Sequence, residues 1–366
     1  MGVLNEQSMR LERLLEIAIE NEASDVHLTV GLPPVYRVHG RLRKLSAAPL
    51  TPENTVSFMK SIASDRCQRE LNEKGTTDFS FSYGEKARFR VSCYRQRGYV
   101  GIALRLLPTR FMSFEEIGLP HQLKNLLLKP RGLLLVTGPT GSGKTTTLAT
   151  MVDFINTNLD RHIVTVEDPI EYLHCHKKSI VTQREVGVDV GSFAEALRRV
   201  LRMDPDVILI GEMRDLETMQ AAITAAETGH LVLATLHTMG AGETVDRIID
   251  AFPPHQQAQI RTQLSVALLA VVSQTLLPRA DNRERIAAFE VMFATPAIAN
   301  LIRDNKTYQI PNAIITAKKD GMFLLDDFLF KLFVEGKIAY QDMMEKARDP
   351  VALQERLKDH SARRAQ

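Results

Sequence analysis

Short apolar runs rich in β-branched residues recur through the middle of the chain, and segments with helical spacing of apolar residues separate them. Nearly continuous apolar runs of this kind are typical of parallel strands that helices cover on both faces. The alternation therefore predicts an α/β core built on a parallel sheet, which we place at residues 119–294. The four runs predicted as strands are Leu133–Thr137, His162–Val166, Val207–Ile210 and Leu231–Leu236.

Before this core, polar and apolar residues alternate over several segments, which predicts antiparallel strands with one buried face. An amphipathic helix over Leu11–Ile19 and a second helix from Thr51 to about Lys74 accompany these strands. Together they predict a small α+β domain at residues 1–108, joined to the core by a linker at 109–118. The predicted strands are Val26–Val30, the hairpin of Val35–Val38 and Arg41–Arg43 around His39-Gly40, and a meander through residues 79–106.

After the core, the pattern predicts a helical region at residues 295–366, with helices at Thr295–Asp304 and Leu324–Glu335. The polar segment from Asp349 to Gln366 is expected to fray. The most apolar helical stretch, Leu264–Leu277, contains polar residues and is too short to span a bilayer. It predicts a core helix and no transmembrane segment.

Composition describes an ordinary globular protein, since 44% of the 366 residues are hydrophobic and 25% are charged. The net charge of +2 is too small for a general nucleic-acid-binding surface, and we expect no nucleic-acid partner. Three cysteines far apart in sequence give neither zinc spacing nor a disulfide framework, which fits a reducing cytosol. The first residues carry charges and no apolar segment, so no signal peptide is predicted.

The first apolar run leads into a glycine-rich turn and then a helix that opens on Gly-Lys-Thr, the pattern of a P-loop. Its backbone N–H groups and the helix N-terminus would attract phosphate oxygens. We expect Lys144 to reach the β- and γ-phosphates of ATP, and the Thr145 hydroxyl to ligate Mg²⁺. The residues predicted to bind nucleotide here are Gly138, Pro139, Thr140, Gly141, Ser142, Gly143, Lys144, Thr145 and Thr146.

The other three runs also end in residues that suit phosphate chemistry, and parallel strands bring such ends to one edge of a sheet. Glu212 follows the third run, which is the Walker B arrangement and predicts a carboxylate linked to Mg²⁺. Glu167 follows the second run and is the best candidate to orient or deprotonate the attacking water. Which carboxylate is the base stays open at this point. His237 follows the fourth run, although alone it could be a core histidine.

These motifs resemble those of the secretion and type IV pilus ATPase superfamily, and most closely its pilus-retraction branch, the PilT family. The resemblance covers almost the whole chain. Near its end, the retraction signature usually has Arg where this chain has Ala299 and Glu where it has Asp304. The similar motifs are the Asp box Glu167–Glu171, the Walker B segment Ile208–Asp215, the His box from Ala226 to Thr238, and the retraction signature Ala297–Arg303.

The resemblance implies a RecA-like P-loop NTPase core with a PAS-like N-terminal domain, assembled as a homohexamer in which ATP binds between subunits. It also implies that N-terminal arginines reach the phosphates. Arg90 and Arg105 match that pair best, although Arg88, Arg95 and Arg97 are equally basic. The His box implies roles for His230 in nucleotide binding and for His237 in catalysis.

By the same resemblance, the function would be an ATP-hydrolysing motor that drives type IV pilus retraction and twitching motility. Such a motor acts at the cytoplasmic face of the inner membrane, on a membrane platform protein and the pilus machinery.

Three alternatives remain at this point. Assembly and secretion motors of the superfamily usually carry a long extra N-terminal region and a four-cysteine zinc insert. This sequence has no such cysteine pairs and starts directly at the PAS-like domain, which favours a retraction motor. A RecA-like helicase would show basic, aromatic-studded loops, which we do not find. A regulatory ring that binds nucleotide and hydrolyses it poorly would be distinguished by its turnover.

Overall fold

The structure, a computed structural model, describes residues 10–38, 40–84, 86–108, 110–281 and 285–364, without the side chains of residues 361–364. The chain divides into two structural units. The first comprises Met1–Arg110 and Pro169–Leu173, and the second comprises Phe111–Asp168 and His174–Gln366.

Among its described residues, the first unit contains three helices and a six-stranded antiparallel sheet. Its helices are α1 (Leu11–Glu20), α2 (Pro52–Ile62) and α3 (Asp65–Lys74), and its strands are β1 (Asp25–Leu28), β2 (Val35–Val38), β3 (Arg41–Lys44), β4 (Thr76–Tyr83), β5 (Ala87–Gln96) and β6 (Tyr99–Leu107). The strand order is β3-β2-β1-β6-β5-β4. Residues of the helices and of one sheet face form a single apolar cluster, as the predicted α+β class requires. The predicted hairpin is confirmed by the pairing of β2 with β3, although its turn residue His39 lies outside the described residues.

The helix predicted from Thr51 to about Lys74 is wrong at its centre, where the structure has two helices. Ala63 has extended backbone angles, and the Ser64 hydroxyl accepts a hydrogen bond from the Cys67 amide at 3.4 Å. A serine in this position caps a new helix and competes with continuation of the previous one. The helical spacing of apolar residues continues across the break between α2 and α3. The pattern alone therefore predicts one uninterrupted helix.

The second unit contains seven strands and twelve α-helices among its described residues. The strands are β7 (Gly132–Thr137), β8 (His162–Glu167), β9 (Ile180–Glu185), β10 (Val207–Ile210), β11 (Leu231–Leu236), β12 (Leu268–Pro278) and β13 (Arg285–Phe293). The helices are α4 (Phe114–Ile117), α5 (Gln122–Leu127), α6 (Lys144–Asn158), α7 (Phe193–Val200), α8 (Leu216–Glu227), α9 (Ala241–Asp250), α10 (Pro254–Ala267), α11 (Pro296–Arg303), α12 (Ile310–Thr316), α13 (Leu325–Val334), α14 (Tyr340–Lys346) and α15 (Pro350–Arg364).

All seven strands form one sheet in the order β13-β12-β7-β11-β10-β8-β9. The four strands predicted from apolar runs are β7, β8, β10 and β11, and they lie side by side and parallel, which confirms the predicted core. Successive residues of β7 enter different apolar clusters: Leu133 and Leu135 belong to one, and Leu134 and Val136 to the other. Both faces of the sheet are therefore covered, as continuous apolar strands require.

The core helix predicted over Leu264–Leu277 is wrong beyond Ala267. There α10 ends, and the chain continues as β12, which pairs with β7 on one side and β13 on the other. A short, continuous apolar run fits a buried strand and a buried helix equally well by periodicity. Two neighbouring strands that complete its hydrogen bonds decide the outcome here.

The expectation of a frayed end is also wrong over residues 350–364, which form α15. Leu353 of this helix is buried, and the Asp349 carboxylate caps its first turn by accepting from the Ala352 amide at 3.0 Å. No helix in the described part of the chain combines the length and the apolar character needed to cross a membrane.

His174 makes the stability of the second unit sensitive to acid. Burial lowers the pKa of its imidazole from 6.5 to about 4, and its ring lies against that of Phe111, tilted by 30° with the centroids 4.6 Å apart. Because the unfolded chain takes up this proton first, the stability that neutral His174 contributes is present above pH 6.5 and is lost as the pH falls towards 4.

We predict that the unfolding temperature of His174→Phe falls less on acidification than that of the parent. The difference between pH 7 and pH 4.5 should shrink by an amount equivalent to at most about 3 kcal/mol. Thermal unfolding at the two pH values measures this, with the exposed His121→Gln as the control. Equal acid sensitivity in His174→Phe and the parent would contradict the assignment.

Candidate nucleotide site

The carboxyl ends of four neighbouring strands meet at one edge of the second unit's sheet. Thr137 at the end of β7 pairs with Leu236 at the end of β11, and Ile210 of β10 pairs with Val166 of β8. The residues that follow these positions are the glycine-rich turn, His237, Gly211-Glu212 and Glu167. The predicted convergence on one edge is therefore present.

The turn between β7 and α6 has the backbone of a phosphate-binding loop. Gly138 has φ +142°, and a Cβ there would lie 2.2 Å from the Gln274 carbonyl oxygen, so only glycine fits. Gly143 has φ +89° and precedes α6, and no side chain caps this helix. The N-terminus of α6 therefore presents its backbone N–H groups to the loop.

Lys144 is held over this loop. Its Nζ donates to the carbonyl oxygens of Gly138 at 2.8 Å and Pro139 at 3.0 Å. Burial lowers the pKa of Lys144, and the negative charge of Glu212 partly offsets that effect. The ammonium group is thus placed within the turn, where a phosphate could replace its carbonyl partners.

Two hydroxyls at the loop lack a hydrogen-bond partner among the described residues. The hydroxyls of Thr137 and Ser142 are buried and have no hydrogen-bond partner. Together with the Lys144 ammonium and the N-terminus of α6, they would match an anion with many oxygen atoms. This donor set fits the polyphosphate of a nucleotide.

Two oxygen ligands suited to Mg²⁺ lie in this part of the unit. Thr145 is the second residue of α6 and is partly buried, and Glu212 follows β10. Within the described residues, no group of three or more histidine, cysteine or acidic side chains could hold a metal ion alone. A magnesium ion here would need phosphate and water oxygens as further ligands, which is its usual mode of binding with nucleotides.

Gln274 of β12 supports the loop, and sequence reasoning missed it. Its Nε2 donates to the Ser142 carbonyl oxygen at 2.6 Å, and its Oε1 accepts from the Thr147 hydroxyl at 2.8 Å. It therefore ties the turn to the first turns of α6. The signal for it in the sequence is a polar pair, Ser273-Gln274, inside an apolar run whose pattern predicts a helix.

Glu212 is fixed by two partners, an arginine and a histidine. Arg214 Nη2 lies 2.7 Å from its Oε2, and His237 Nε2 lies 2.7 Å from its Oε1. Burial favours the neutral acid, but the Arg214 hydrogen bond and the charges of His237 and Arg214 outweigh it and lower the pKa of Glu212. The carboxylate is therefore ionised at neutral pH and oriented by residues of two strand ends.

Glu167 is more buried than Glu212, with 8% of its surface exposed. Its Oε1 accepts from the Thr165 hydroxyl at 2.6 Å and from Gln183 Nε2 at 3.2 Å. Gln183 lies on β9 and also accepts from the His174 amide at 2.8 Å. Neighbouring strands thus hold this carboxylate in one orientation at the carboxyl edge of the sheet.

His230 does not join this group. It precedes β11 at the amino edge of the sheet, and its carbonyl oxygen accepts from the Gly132 amide at the start of β7. Its Nδ1 contacts the Ala225 carbonyl oxygen at 3.0 Å. Because β7 and β11 are parallel, the length of a whole strand separates His230 from the P-loop of its own chain. Its role in nucleotide binding stays a prediction from the resemblance.

Arg90 and Arg105 lie in the first unit, directly opposite each other on β5 and β6, and both are exposed. Asp25 pairs across the sheet with Arg105 and, on its other side, with Arg37. Arg105 Nε donates to Asp25 Oδ1 at 2.9 Å. Strand pairing rather than spacing in the sequence brings Arg37, Asp25 and Arg105 together. Arginines placed opposite each other repel unless an anion lies between them.

Comparison with known proteins finds one family model, described as "Type II/IV secretion system protein", that matches residues 6–319. The chain is 46% identical over 342 residues to "Type IV pilus retractation ATPase PilT" of Pseudomonas aeruginosa, covering 93% of this chain and 99% of that protein. It is 44% identical over 316 residues to "Twitching motility protein" of Neisseria gonorrhoeae, covering 86% of this chain and 84% of that protein.

Among solved structures, the chain is similar to one described as "Crystal Structure of the Pilus Retraction Motor PilT and Bound ADP". The TM-score is 0.89 at 46% sequence identity, covering 95% of this chain and 99% of that chain. The similarity extends over both structural units, and it includes a protein whose crystal contains a nucleotide.

Proposed function

Since the chain belongs to the type II/IV secretion system ATPase family, within its PilT-like branch, we propose that it is the ATP-hydrolysing motor of type IV pilus retraction. The observation that carries the proposal is identity of 46%, across nearly the full length of both chains, with a retraction ATPase. The four strand ends of the candidate site supply the residue types that hydrolysis of a γ-phosphate needs.

In this proposal, the turn and the N-terminus of α6 bind the phosphates, and Lys144 lies beside the β- and γ-phosphates. A magnesium ion, when bound by Thr145 and linked to Glu212, would neutralise charge on the phosphate oxygens. Glu212 has a lowered pKa, which makes it a weak base and suits it to a charge-balancing role. We therefore assign Glu167 to orienting the attacking water, with His237 holding Glu212 in place.

We further propose that the protein is a homohexameric ring in which Arg90 and Arg105 of one subunit act on ATP bound to the next. The exposed pair on β5 and β6 supports this, because two arginines opposed across strands are stabilised by an anion that they share. In these motors the ring would work on the cytoplasmic face of the inner membrane, against a membrane platform protein and the pilus machinery.

Counting surface pili tests the direction of the motor. Cells that lack a retraction motor should keep or accumulate pili and stop twitching, whereas cells that lack an assembly motor should be bare. Complementation with the parent gene should restore pilus turnover. Bare cells after deletion, restored by complementation, would overturn retraction in favour of assembly.

Helix α11 carries the segment that resembles the retraction signature, and the structure divides its residues by role. Ile298 and Ile302 are fully buried in the core of the second unit, and Leu301 is partly buried against it. Arg303 is exposed and hydrogen-bonds to Asn300. Only the exposed side can therefore be changed without disturbing the packing.

We predict that Arg303→Ala leaves the melting temperature within about 2 °C of the parent and keeps ATP turnover, but reduces twitching. Leu301→Ala is the contrasting variant, because loss of its packing should destabilise the protein by about 1–3 kcal/mol. Melting temperature, turnover and twitching should be measured on both. Normal twitching by Arg303→Ala would remove the coupling role of this residue.

A further inference from the structure

Glu290 is a buried carboxylate on β13 that the nucleotide site does not use, with 3% of its surface exposed. Its Oε1 accepts from the Ala241 amide at 2.8 Å, and its Oε2 accepts from the Leu325 amide at 3.4 Å. These residues begin α9 and α13, and neither helix is capped by the side chain that precedes it. One carboxylate therefore caps two helices, where the helix dipoles favour its charge.

The cap on α9 fixes the end of the loop that begins with His237. The Gly240 amide donates to the Ser273 hydroxyl at 2.9 Å, and the Thr244 hydroxyl donates to the Gly240 carbonyl oxygen at 2.6 Å. Because the one hydroxyl proton of Thr244 already goes to Gly240, the Thr244 oxygen can only accept here. The Thr238 hydroxyl therefore donates to the Thr244 hydroxyl oxygen at 2.7 Å. The start of α9 thus determines where this loop lies, and with it the His237 ring that holds Glu212.

Arg348 joins this cap to the C-terminal helices. Its Nε lies 3.8 Å from Glu290 Oε2, and a Cβ added to Gly240 would lie 2.0 Å from its Nη2. The guanidinium therefore covers the glycine that ends the His237 loop. The Arg348 amide donates to the Asp326 carboxylate on α13 at 2.8 Å, just before α15 begins.

We propose that Glu290 and Arg348 are positioning residues through which α13 and α15 set the place of the His237 loop and, with it, the rate of ATP hydrolysis. The inference rests on the proposed roles of His237 and Glu212. Without Arg348, the loop loses the group that covers Gly240, and Glu290 loses its cation. Turnover should then fall while ATP affinity is retained, because Lys144 and Gln274 hold the phosphate loop without Arg348.

The first test compares Arg348→Ala with Arg348→Lys and with Lys346→Ala, a nearby cation paired only with the adjacent Glu345 in the described structure. We expect kcat of Arg348→Ala to fall about tenfold with KM for ATP unchanged. Arg348→Lys should recover most of the loss, and Lys346→Ala should match the parent. Arg348→Ala should bind as much of a fluorescent ADP analogue per protein as the parent does. Equal binding shows that the fall in kcat does not come from a smaller fraction of folded protein.

The second test uses Glu290→Gln, which keeps one acceptor but places an NH₂ group beside the other amide. If both residues act through one link, Arg348→Ala combined with Glu290→Gln should be no slower than Glu290→Gln alone. An unchanged kcat in Arg348→Ala, or a rise of KM in place of a fall in kcat, would overturn the proposal. Losses of kcat that multiply in the double variant would overturn it as well. If Glu290→Gln fails to fold, the comparison of Arg348→Ala with Arg348→Lys tests the proposal by itself. Absence of turnover in the parent itself would instead refute the proposed function.

Discussion

Replacing Lys144 by Ala should abolish most ATP hydrolysis, with kcat reduced by at least about a hundredfold. The variant removes the cation that two loop carbonyls hold within the P-loop. Binding of nucleotide should weaken as well. Steady-state hydrolysis and nucleotide affinity should be measured together, with Lys129→Ala as the control, because Lys129 is exposed and precedes the start of β7 at the opposite edge.

Glu212→Gln should separate binding from turnover at the same site. The amide keeps the shape of the side chain but removes the charge that pairs with Arg214 and His237, so ATP should still bind while kcat falls by about a hundredfold or more. Glu217→Gln is the matched control, since that glutamate is exposed on α8. Near-parental turnover in both Lys144→Ala and Glu212→Gln would refute this site.

Mixing two inactive variants should restore hydrolysis if subunits share the nucleotide site. Arg105→Ala subunits retain an intact P-loop, and Lys144→Ala subunits retain intact arginines. In randomly mixed rings, about a quarter of the interfaces should combine an intact P-loop with an intact arginine pair. ATPase activity of the mixture, measured after subunit exchange is demonstrated, should rise well above that of either variant.

Arg95→Ala provides the control for this experiment, because it removes an arginine of β5, the strand that carries Arg90, and Arg95 hydrogen-bonds to Asn72. Its rings should be active without mixing. A second mixture with Arg90→Ala in place of Arg105→Ala guards against an effect of releasing Asp25 from its hydrogen bond. Absence of recovery in both mixtures, with exchange proven, would contradict a shared site.

The strands of the core and the P-loop could be predicted from the sequence because their signals are local. An apolar run, a glycine-rich turn and a helix of regular period lie next to one another, and the parallel sheet follows from their repetition. The approach of Glu212 and Glu167 to one edge follows from the same rule. Gln274 could not be predicted, because its role depends on whether an apolar run becomes a strand beside β7.

His230 shows a second limit of sequence reasoning. The His-box motif places His230 and His237 near each other in sequence, yet a parallel strand between them carries them to opposite edges of the sheet. Glu290 and Arg348 show a third limit of sequence reasoning. These residues are 58 positions apart and meet only through the packing of β13 against the C-terminal helices. Contacts between residues far apart in the sequence leave no periodic signal in it.

Retraction of labelled pili in living cells is the most direct measurement of the central claim. Cells that carry only the Glu212→Gln variant should extend pili but fail to shorten them, and the parent gene should restore shortening at its normal rate. The variant should accumulate to the same level as the parent, so that hydrolysis alone differs. Normal pilus shortening in Glu212→Gln cells that contain no other retraction ATPase would contradict the account.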